Sequence, residues 1–227
     1  MNNTATKLNN IDWFRDRLLA WAEQNLRDYP WRNTDNSYHI LVAECLLQRT
    51  DADTVTPVYK TLLIQYPTLK ELAIADVKDI AEILQPLGLF FRAERLSQTA
   101  KTIIEQHQEK IPNSQTELLK LPGIGIYTAR AILSQAFKQS AAVMDTNVAR
   151  ILERFFGIKG ERVKSRCKIL WGAADTIAPR FEVGRWNLTL LDFGALICTA
   201  RKPKCSQCPL AAKCHWFDLN NDIFDRN

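Results

Sequence analysis

The stretch Leu121-Pro122-Gly123-Ile124-Gly125-Ile126-Tyr127-Thr128-Ala129 indicates how this chain folds and what it contacts. Two glycines on either side of one apolar residue predict a tight turn with exposed backbone amides. Apolar-patterned segments precede and follow the turn, so it should join two helices. Free amides at the start of the second helix favour a bound phosphate, because the helix dipole is positive there. The pattern therefore predicts a phosphate-binding hairpin, followed 20 residues after Gly125 by a carboxylate, Asp145.

Composition and charge indicate a protein with a sizeable core and a polyanionic partner. The 227 residues are 46% hydrophobic, and no apolar run approaches the length of a membrane span. The first ten residues hold no apolar signal segment, so we expect an intracellular protein of the cytoplasm or nucleoid without a membrane partner. Residues 150–214 carry 13 Lys and Arg against 5 Asp and Glu, a net of +8 within a total of +5. This asymmetry favours a polyanion-facing surface over ordinary solvated helix faces.

The spacing of apolar residues is helical along nearly the whole chain, which predicts an all-α fold. Asn10 is expected to cap the first helix and Asp76 a later one. The segment 39–47 is apolar on almost every side and should be a buried helix. One short piece, 141–144, is expected to be extended. Helices are also predicted over residues 50–66, 69–75, 77–84, 90–109, 127–137, 147–156, 164–177 and 185–197, with others beginning at Ile11 and after Pro112–Ser114.

Four of the six cysteines crowd into one loop with the spacing Cys198-x6-Cys205-x2-Cys208-x5-Cys214. Without a secretory signal, clustered thiols are expected to bind metal rather than to form disulfides. Four thiolates can hold one tetrahedral Zn²⁺ ion or a cubane iron–sulfur cluster. Structural zinc commonly uses two Cys-x-x-Cys pairs, and this loop has one, which favours iron–sulfur.

Two further features concern cysteines and their neighbours. The basic segment Arg201-Lys202-Pro203-Lys204 lies between the first two cysteines of the loop, and Lys202 and Lys204 are expected to contact phosphate. Cys45, in contrast, lies in an apolar stretch and is expected to be a small core residue.

The hairpin, Asp145 and the four-cysteine loop, in this order, resemble the helix-hairpin-helix DNA glycosylases with a 4Fe–4S loop. This superfamily includes endonuclease III, the A·G-mismatch adenine glycosylases and the T·G-mismatch thymine glycosylases. The resemblance extends from Tyr29-Pro30-Trp31-Arg32 to Cys214 and is closest to the thymine glycosylases. It implies two helical lobes: a six-helix barrel over residues 30–136, and an iron–sulfur lobe of residues 1–29 plus 137–227.

The same resemblance implies a cofactor and a partner. The cofactor would be a 4Fe–4S cluster, with Zn²⁺ as the alternative. The partner would be double-stranded DNA with a mismatched or damaged base flipped out of the helix, bound by a monomer. Leu121, Gly123 and Gly125 match the DNA-binding hairpin of the family. Gln48 and Arg49 match the place where the family inserts a side chain into the vacated stack, although polarity at a helix end explains them almost as well.

Asp145 matches the catalytic aspartate of the family, and its chemistry fits independently of the match. Cleavage of an N-glycosidic bond builds positive charge on the sugar, which a nearby carboxylate stabilises. The alternative is that Asp145 caps the helix that follows it. One residue can do both.

Glu44 is the second catalytic candidate. Burial in an apolar helix should raise its pKa, so that it can hold a proton for a leaving base. Its segment resembles the adenine-glycosylase segment with the glutamate that protonates adenine, but the thymine glycosylases also carry an acid here. The alternative is an internal ion pair with an arginine.

Tyr127 occupies the position of the lysine that forms a Schiff base in bifunctional members of the family. A phenol cannot form one, so base removal with little or no AP lyase activity is expected. The thymine glycosylases have tyrosine here, and the adenine glycosylases usually have serine. The alternative role of Tyr127 is packing at a helix start. Lys120 precedes the hairpin and is expected to be solvated or to face phosphate.

The chain stops 13 residues after Cys214, without the further domain typical of adenine glycosylases. The main hypothesis is therefore a monofunctional glycosylase acting on thymine or uracil opposite guanine. An adenine glycosylase acting on A·G or A·8-oxoguanine pairs is the alternative, since Leu87–Arg95 resembles either branch. A non-catalytic iron–sulfur DNA-binding module is the third, against which Asp145 and Glu44 argue.

Overall fold

The computed structural model describes residues 10–88 and 91–220, and within these ranges the predicted all-α fold is confirmed, because helices and turns are the regular elements there. None of the helices in these ranges is long and apolar enough to cross a membrane. The α-helices are α1 (Ile11–Asn25), α2 (Ser37–Leu46), α3 (Ala52–Gln65), α4 (Leu69–Ile74), α5 (Val77–Leu84), α6 (Phe91–Gln106), α7 (Gln115–Leu118), α8 (Ile126–Ala136), α9 (Thr146–Phe156), α10 (Lys168–Ile177), α11 (Val183–Leu196) and α12 (His215–Asp218). Short 3₁₀ turns occupy Pro30–Arg32, Gln85–Leu87, Lys164–Arg166, Cys205–Gln207 and Ala211–Lys213.

The chain divides into two compact units. One consists of Met1–Arg27 with Ser140–Asn227, and the other of Asp28–Gln139. We call the first the cysteine unit, because it contains the four clustered cysteines, and the second the hairpin unit, because it contains the turn between α7 and α8.

The hairpin unit is built around α2, whose sequence is apolar on nearly every side. Ile40, Leu41, Val42 and Ala43 are each at most 1% exposed, which confirms the predicted buried helix. The side chain of Asn36 caps its start by accepting backbone hydrogen bonds. α2 packs against α3, α6 and α8, and α6 also packs against α4 and α5. The C-terminal half of α2 lies beside both α6 and α8, because Arg92 of α6 donates to the carbonyl of Leu46 and Gln135 of α8 donates to Glu44.

The cysteine unit has an aromatic core shared by the two ends of the chain. Phe14 of α1 lies with its ring centroid 4.7 Å from that of Phe155 and 5.9 Å from that of Trp186. Phe14 and Trp186 are both 0% exposed. α1 packs against α11, and α11 packs against α9. Buried rings contribute a large share of apolar burial, so α1 is an integral part of this unit.

The prediction that Asn10 caps α1 is wrong. Asn10 precedes the helix, but its backbone is left-handed, with φ of 68°, and its side chain accepts no capping hydrogen bond. Its Oδ1 instead accepts a hydrogen bond from Nζ of Lys213 at 3.0 Å. Lys213, distant in sequence, thus binds the side-chain oxygen that would otherwise cap the first turn of α1. At Asp76 the predicted cap is confirmed, because its side chain accepts the Lys78 backbone N–H.

Some helix ends differ from their predictions for local reasons. α6 ends at Gln106 rather than 109, because Gln108 and Glu109 have left-handed backbone angles. The predicted helix 164–177 is interrupted at Cys167, whose extended backbone separates a 3₁₀ turn from α10. Residue 90, predicted to begin α6, lies outside the described residues. The other predicted helices are present, with ends shifted by one or two residues at most.

Candidate functional site

The turn between α7 and α8 presents backbone amides to solvent. Gly123 has φ of +75°, a left-handed conformation that strains any residue with a Cβ. The Ile124 N–H donates to the carbonyl of Leu121 at 3.2 Å and closes the turn. Gly125 precedes α8 without a capping side chain, and no described residue accepts a hydrogen bond from the amides of Gly123 and Gly125. These amides are therefore available to an external anion.

Leu121, predicted to contact DNA, lies in the hairpin with its side chain buried, and the DNA contact stays a prediction. Its side chain is 3% exposed and belongs to the core of the hairpin unit. Its carbonyl is engaged by Ile124 within the turn. Leu121 therefore shapes the hairpin.

Helix α6 braces the hairpin. The hydroxyl of Thr99 donates to the carbonyl of Pro122 at 2.7 Å. The stem of Arg95 lies so close that a Cβ at Gly123 would come within 3.3 Å of its Cδ. The guanidinium of Arg95 lies over the ring of Phe91, 4.7 Å from the centroid. Arg95 is a further residue that sequence reasoning missed, because an arginine on an exposed helix face is ordinarily a solvated charge.

Residues 47–50 form a turn after α2, called the 47–50 turn below, that carries the two predicted stack-filling residues. Nε2 of Gln48 donates to the carbonyl of Gly123 at 3.0 Å and fastens the turn to the hairpin. Arg49 is exposed and has φ of +61°, a region that non-glycine residues rarely adopt. The structure thus separates two residues that the sequence treated alike: the amide of Gln48 is engaged, whereas no described residue forms a hydrogen bond with the side chain of Arg49.

Arg92 is a further residue that sequence reasoning missed. It is 5% exposed, and its guanidinium donates to the carbonyl of Leu46 at 2.8 Å and to the carbonyl of Gln48. A signal was available, since Arg92 stands four residues before Leu96 on the buried face of α6. A basic residue on an apolar face requires acceptors, because an unpaired buried charge is costly.

Glu44 lies in α2 and is 6% exposed. Gln135 of α8 donates from Nε2 to its Oε1 at 3.4 Å. Burial raises the pKa of Glu44 to about 7, against the smaller effects of the Gln135 hydrogen bond and of the positive charge of Arg32. The positive charge of Arg32 has the weakest of these three effects on Glu44. A carboxyl with this pKa is partly protonated at neutral pH, as a general acid must be.

Tyr127 is the second residue of α8 and is half-buried. It shares this helix with Gln135, and α8 packs against the helix that carries Glu44. Lys120 precedes the hairpin, and its exposed Nζ lies 2.7 Å from Oε1 of Glu117. Its positive charge is therefore balanced within the chain.

Asp145 follows the buried segment 141–144 and precedes α9. Its Oδ1 accepts the Val148 backbone N–H at 2.8 Å, which confirms that it caps the helix. Its Oδ2 accepts a hydrogen bond from Nδ2 of Asn147 at 2.8 Å. Burial raises the pKa of Asp145, and the hydrogen bonds from Val148 and Asn147 oppose the rise. The two donors also orient the carboxylate, while its catalytic role stays a prediction.

A side chain rather than a neighbouring strand holds the extended segment 141–144. Asn187 of α11 is 1% exposed, and its Oδ1 accepts the Val143 N–H at 3.1 Å while its Nδ2 donates to the carbonyl of Ala141 at 2.9 Å. These bonds satisfy backbone groups that burial would otherwise leave unpaired. Because Asp145 directly follows this segment, Asn187 helps to fix the position of Asp145. Sequence reasoning missed it, although a polar residue on an apolar helix face was a usable signal.

A chain of hydrogen bonds links Asp145 to the cysteine loop. Asn147, which donates to Asp145, accepts a hydrogen bond from Nη2 of Arg150 at 2.7 Å. The same guanidinium donates to the carbonyls of Cys198 and Gly194, both at 2.7 Å. Position 194 has to be glycine because a Cβ there would lie 2.6 Å from Cβ of Asn147.

The four-cysteine loop follows α11 and is folded by two 3₁₀ turns. Nη1 of Arg154 lies within hydrogen-bond distance of Sγ of Cys198, at 3.5 Å. Burial raises the pKa of Cys208 to about 12, and the neighbouring cysteines add to the effect. Four thiolates therefore stand together here only when a positively charged centre offsets their charge, as bound metal does. The donor set fits such a centre.

The four-cysteine loop also carries the two lysines predicted to contact phosphate. Lys202 and Lys204 are exposed on the same loop, whose shape is stabilised by a 2.7 Å hydrogen bond from the Thr199 hydroxyl to the carbonyl of Lys202.

Comparison with known proteins extends these observations. Residues 42–173, more than half of the chain, match the HhH-GPD superfamily of base excision DNA repair proteins. Residues 198–214, from the first to the last clustered cysteine, match the iron–sulfur binding domain of endonuclease III.

Individual relatives are similar along most of the chain. A thymine/uracil-DNA glycosylase of Methanothermobacter thermautotrophicus is 34% identical over 206 residues, which cover 90% of this chain and 93% of the relative. An adenine DNA glycosylase of Buchnera aphidicola subsp. Schizaphis graminum is 37% identical over 92% of this chain but 61% of its own. The solved structure of a thermostable thymine-DNA glycosylase aligns with a TM-score of 0.88 at 33% identity, over 96% of this chain and 100% of that one.

These matches confirm the resemblance inferred from the hairpin, Asp145 and the cysteine loop, and they confirm an iron–sulfur centre as the class of cofactor. The chain belongs to the HhH-GPD superfamily of base excision DNA repair proteins, as a DNA glycosylase with an iron–sulfur binding loop.

Proposed function

We propose that this protein is a monofunctional DNA glycosylase that removes thymine or uracil opposite guanine. The observation that carries the proposal is the similarity to thymine/uracil- and thymine-DNA glycosylases along nearly the whole length of both chains. An adenine relative is also similar to this chain, and it supports the adenine alternative. Tyr127 supports the thymine substrate, because the resemblance associates tyrosine at this position with thymine glycosylases.

Asp145 is proposed as the carboxylate that stabilises the developing sugar cation. When the bond between C1′ and the base breaks, its electron pair leaves with the base and the sugar becomes positively charged. Water then adds to C1′ and loses a proton. Because Val148 and Asn147 already orient the carboxylate, little reorganisation is needed, and such a preorganised charge contributes about 3–4 kcal/mol to lowering the barrier.

Glu44 is proposed to supply the proton that the leaving base takes up. Its pKa of about 7 leaves a large protonated fraction near neutral pH. Tyr127 is proposed to line the base pocket with Glu44. Because no amine takes the place of Tyr127, and Lys120 is paired with Glu117, we expect no Schiff base and hence little AP lyase activity.

Double-stranded DNA with a mismatched base is the proposed partner of a monomer. The amides of Gly123 and Gly125 would bind one phosphate, and Lys202 and Lys204 would bind others. Arg49 would enter the stack that the flipped base vacates. The hairpin unit would correspond to the six-helix barrel implied by the resemblance.

We propose that the cofactor is a 4Fe–4S cluster held by the following ligands: Cys198, Cys205, Cys208 and Cys214. When bound, it supplies the compact charged core around which the loop with Lys202 and Lys204 is ordered. Purified protein should be yellow-brown, with about four irons per chain. A colourless sample loaded with zinc would contradict this assignment.

The substrate is tested with duplex oligonucleotides that carry a single T·G, U·G, A·G or A·8-oxoguanine pair, cleaved with alkali after incubation. We expect strand cleavage of the T·G and U·G duplexes. Omission of alkali should leave the strands intact, and borohydride should trap no covalent complex. Cleavage of the A·G and A·8-oxoguanine duplexes alone would favour the adenine alternative, and cleavage of none would favour a DNA-binding module.

A further inference from the structure

A buried cation holds the end of α2 and the 47–50 turn. Arg92 donates from Nη1 to the carbonyl of Leu46 at 2.8 Å and from Nη2 to the carbonyl of Gln48. It is 5% exposed, and no carboxylate within residues 10–88 and 91–220 pairs with it. Carbonyls at the C-terminal end of a helix are favourable acceptors for a guanidinium. Arg92 therefore fixes the direction in which the chain leaves α2.

Gln48 fastens the other side of the same turn through its hydrogen bond to the carbonyl of Gly123. Arg49 stands between these two attachments, exposed and with φ of +61°. A non-glycine residue persists in this strained region where the surrounding structure holds it there. The hydrogen bonds donated by Arg92 and Gln48 hold the backbone of Arg49 in this conformation.

The positive charges of Arg92 and Arg49 also indicate that Arg49 is placed to contact a polyanion. Burial lowers the pKa of Arg92, and the positive charge of Arg49 lowers it further. The two guanidinium groups are therefore close enough to repel each other. A polyanion at the exposed group, Arg49, would offset this repulsion.

We propose that Arg92 is a positioning residue for base extrusion: with the Gln48–Gly123 hydrogen bond, it presents Arg49 as the side chain that enters the vacated stack. The proposal rests on the proposed function, because an enzyme that extrudes a base needs a side chain to fill the gap. It assigns this role to Arg49 and not to Gln48, since the hairpin engages the amide of Gln48.

Arg92→Met tests the proposal, because it keeps the apolar stem and removes both donors. Single-turnover excision from the T·G duplex should fall about ten- to a hundredfold, since a small misplacement of a positioned group costs this much. Arg92→Lys can reach one carbonyl and should be intermediate. Lys101→Met removes a charge from an exposed position of the same helix and should match the wild type.

A double-mutant cycle separates positioning from general damage. If Arg92 acts through Arg49, Arg92→Met should cause no further loss in an Arg49→Ala background. If the fold-reductions in excision rate of the two single variants multiply in the double variant, the proposal is overturned. Gln48→Ala tests the second attachment in the same background, and it keeps the test valid if circular dichroism finds Arg92→Met unfolded.

Extrusion of the base from the DNA helix can also be measured without catalysis. A 2-aminopurine beside the target thymine becomes more fluorescent when saturating Asp145→Asn protein unstacks it, and adding Arg92→Met should reduce this rise. An unchanged rise would overturn the role of Arg92. Wild-type protein that excises nothing from any duplex would instead refute the proposed function, while the fluorescence still reports on Arg92.

Discussion

The surroundings of Asp145 in the cysteine unit differ from those of Glu44 in the hairpin unit, although both carboxyls are largely buried. Asp145 accepts two hydrogen bonds at 2.8 Å, from the Val148 N–H and from Asn147. From the residues that the structure describes, Glu44 accepts one hydrogen bond, at 3.4 Å, from Gln135. Burial raises the pKa of both groups, and that of Glu44 reaches about 7. Burial with good donors thus favours an oriented carboxylate, whereas burial with few donors favours a carboxyl that holds a proton.

Asp192, at 0% exposed, has a third kind of environment, in which an arginine compensates the charge. Arg27 donates to Asp192 from Nε at 2.7 Å and from its backbone N–H at 2.8 Å. An internal ion pair of the kind expected as the alternative for Glu44 therefore occurs at Asp192. All three carboxyls are shielded from solvent, so their hydrogen-bond and charge partners distinguish the structural Asp192 from Asp145 and Glu44, which are proposed to be catalytic.

The largest effect is expected at Asp145. Asp145→Asn should lower single-turnover excision by about 10²- to 10³-fold, because the charge that stabilises the sugar cation is lost. Asparagine is also a good helix cap, so the melting temperature should change little. DNA affinity, measured by fluorescence anisotropy, serves as the control. Retained excision would mean that Asp145 is only a cap.

Asp192→Asn should show the opposite pattern, with a loss of stability and no loss of chemistry. The free energy of unfolding should fall by about 3 kcal/mol, because Arg27 loses its partner. This lies at the low end for buried pairs, since the Arg27 side chain is 34% exposed. Urea denaturation measures the change. Excision per folded molecule that fell as steeply as in Asp145→Asn would contradict the distinction.

Glu44 should produce a pH dependence of stability. Its pKa is about 7 in the folded chain against 4.5 ordinarily, so its stabilising contribution is complete below pH 4.5 and is lost as the pH rises through 7. Over this window the wild-type free energy of unfolding should fall by up to about 3 kcal/mol from this group. Glu44→Gln should lack this fall. Parallel pH profiles of the two proteins would show that Glu44 does not hold its proton.

The smallest effect is expected at Asn147. Asn147→Ala removes one donor from Asp145, which costs about 1 kcal/mol, or roughly fivefold to tenfold in excision rate. Loss of this donor should also raise the pKa of Asp145 further and move the acid limb of the pH–rate profile to higher pH. Asn25→Ala, at an exposed position of α1, is the matched control. An acid limb that stays at the same pH would show that Asn147 does not affect the pKa of Asp145.

Features that depend on neighbouring residues were predicted well from the sequence. The helices follow from apolar spacing, the caps at Asp76 and Asp145 from residue type, and the iron–sulfur loop from four closely spaced cysteines. The cap at Asn10 was wrongly predicted, because the partner of its side chain, Lys213, comes from a distant part of the chain.

Arg92 and Asn187 were missed for the same reason. Their acceptors and donors are backbone groups 44 to 46 residues away. Each stands out in the sequence only as a polar residue on an apolar helix face, and the pattern does not identify the group that satisfies it.

The sequence by itself determined the helical class, the hairpin with its free amides, the set of four thiols and the absence of an amine at position 127, because all of these depend on residue type and short spacing. Tertiary structure decided the rest: that Gln48 is engaged and Arg49 presented, that Asp192 has an arginine, and that Glu44 has a pKa of about 7. The physical reason is that a conformation or a pKa depends on burial and on donors brought from elsewhere in the chain, which only folding assembles.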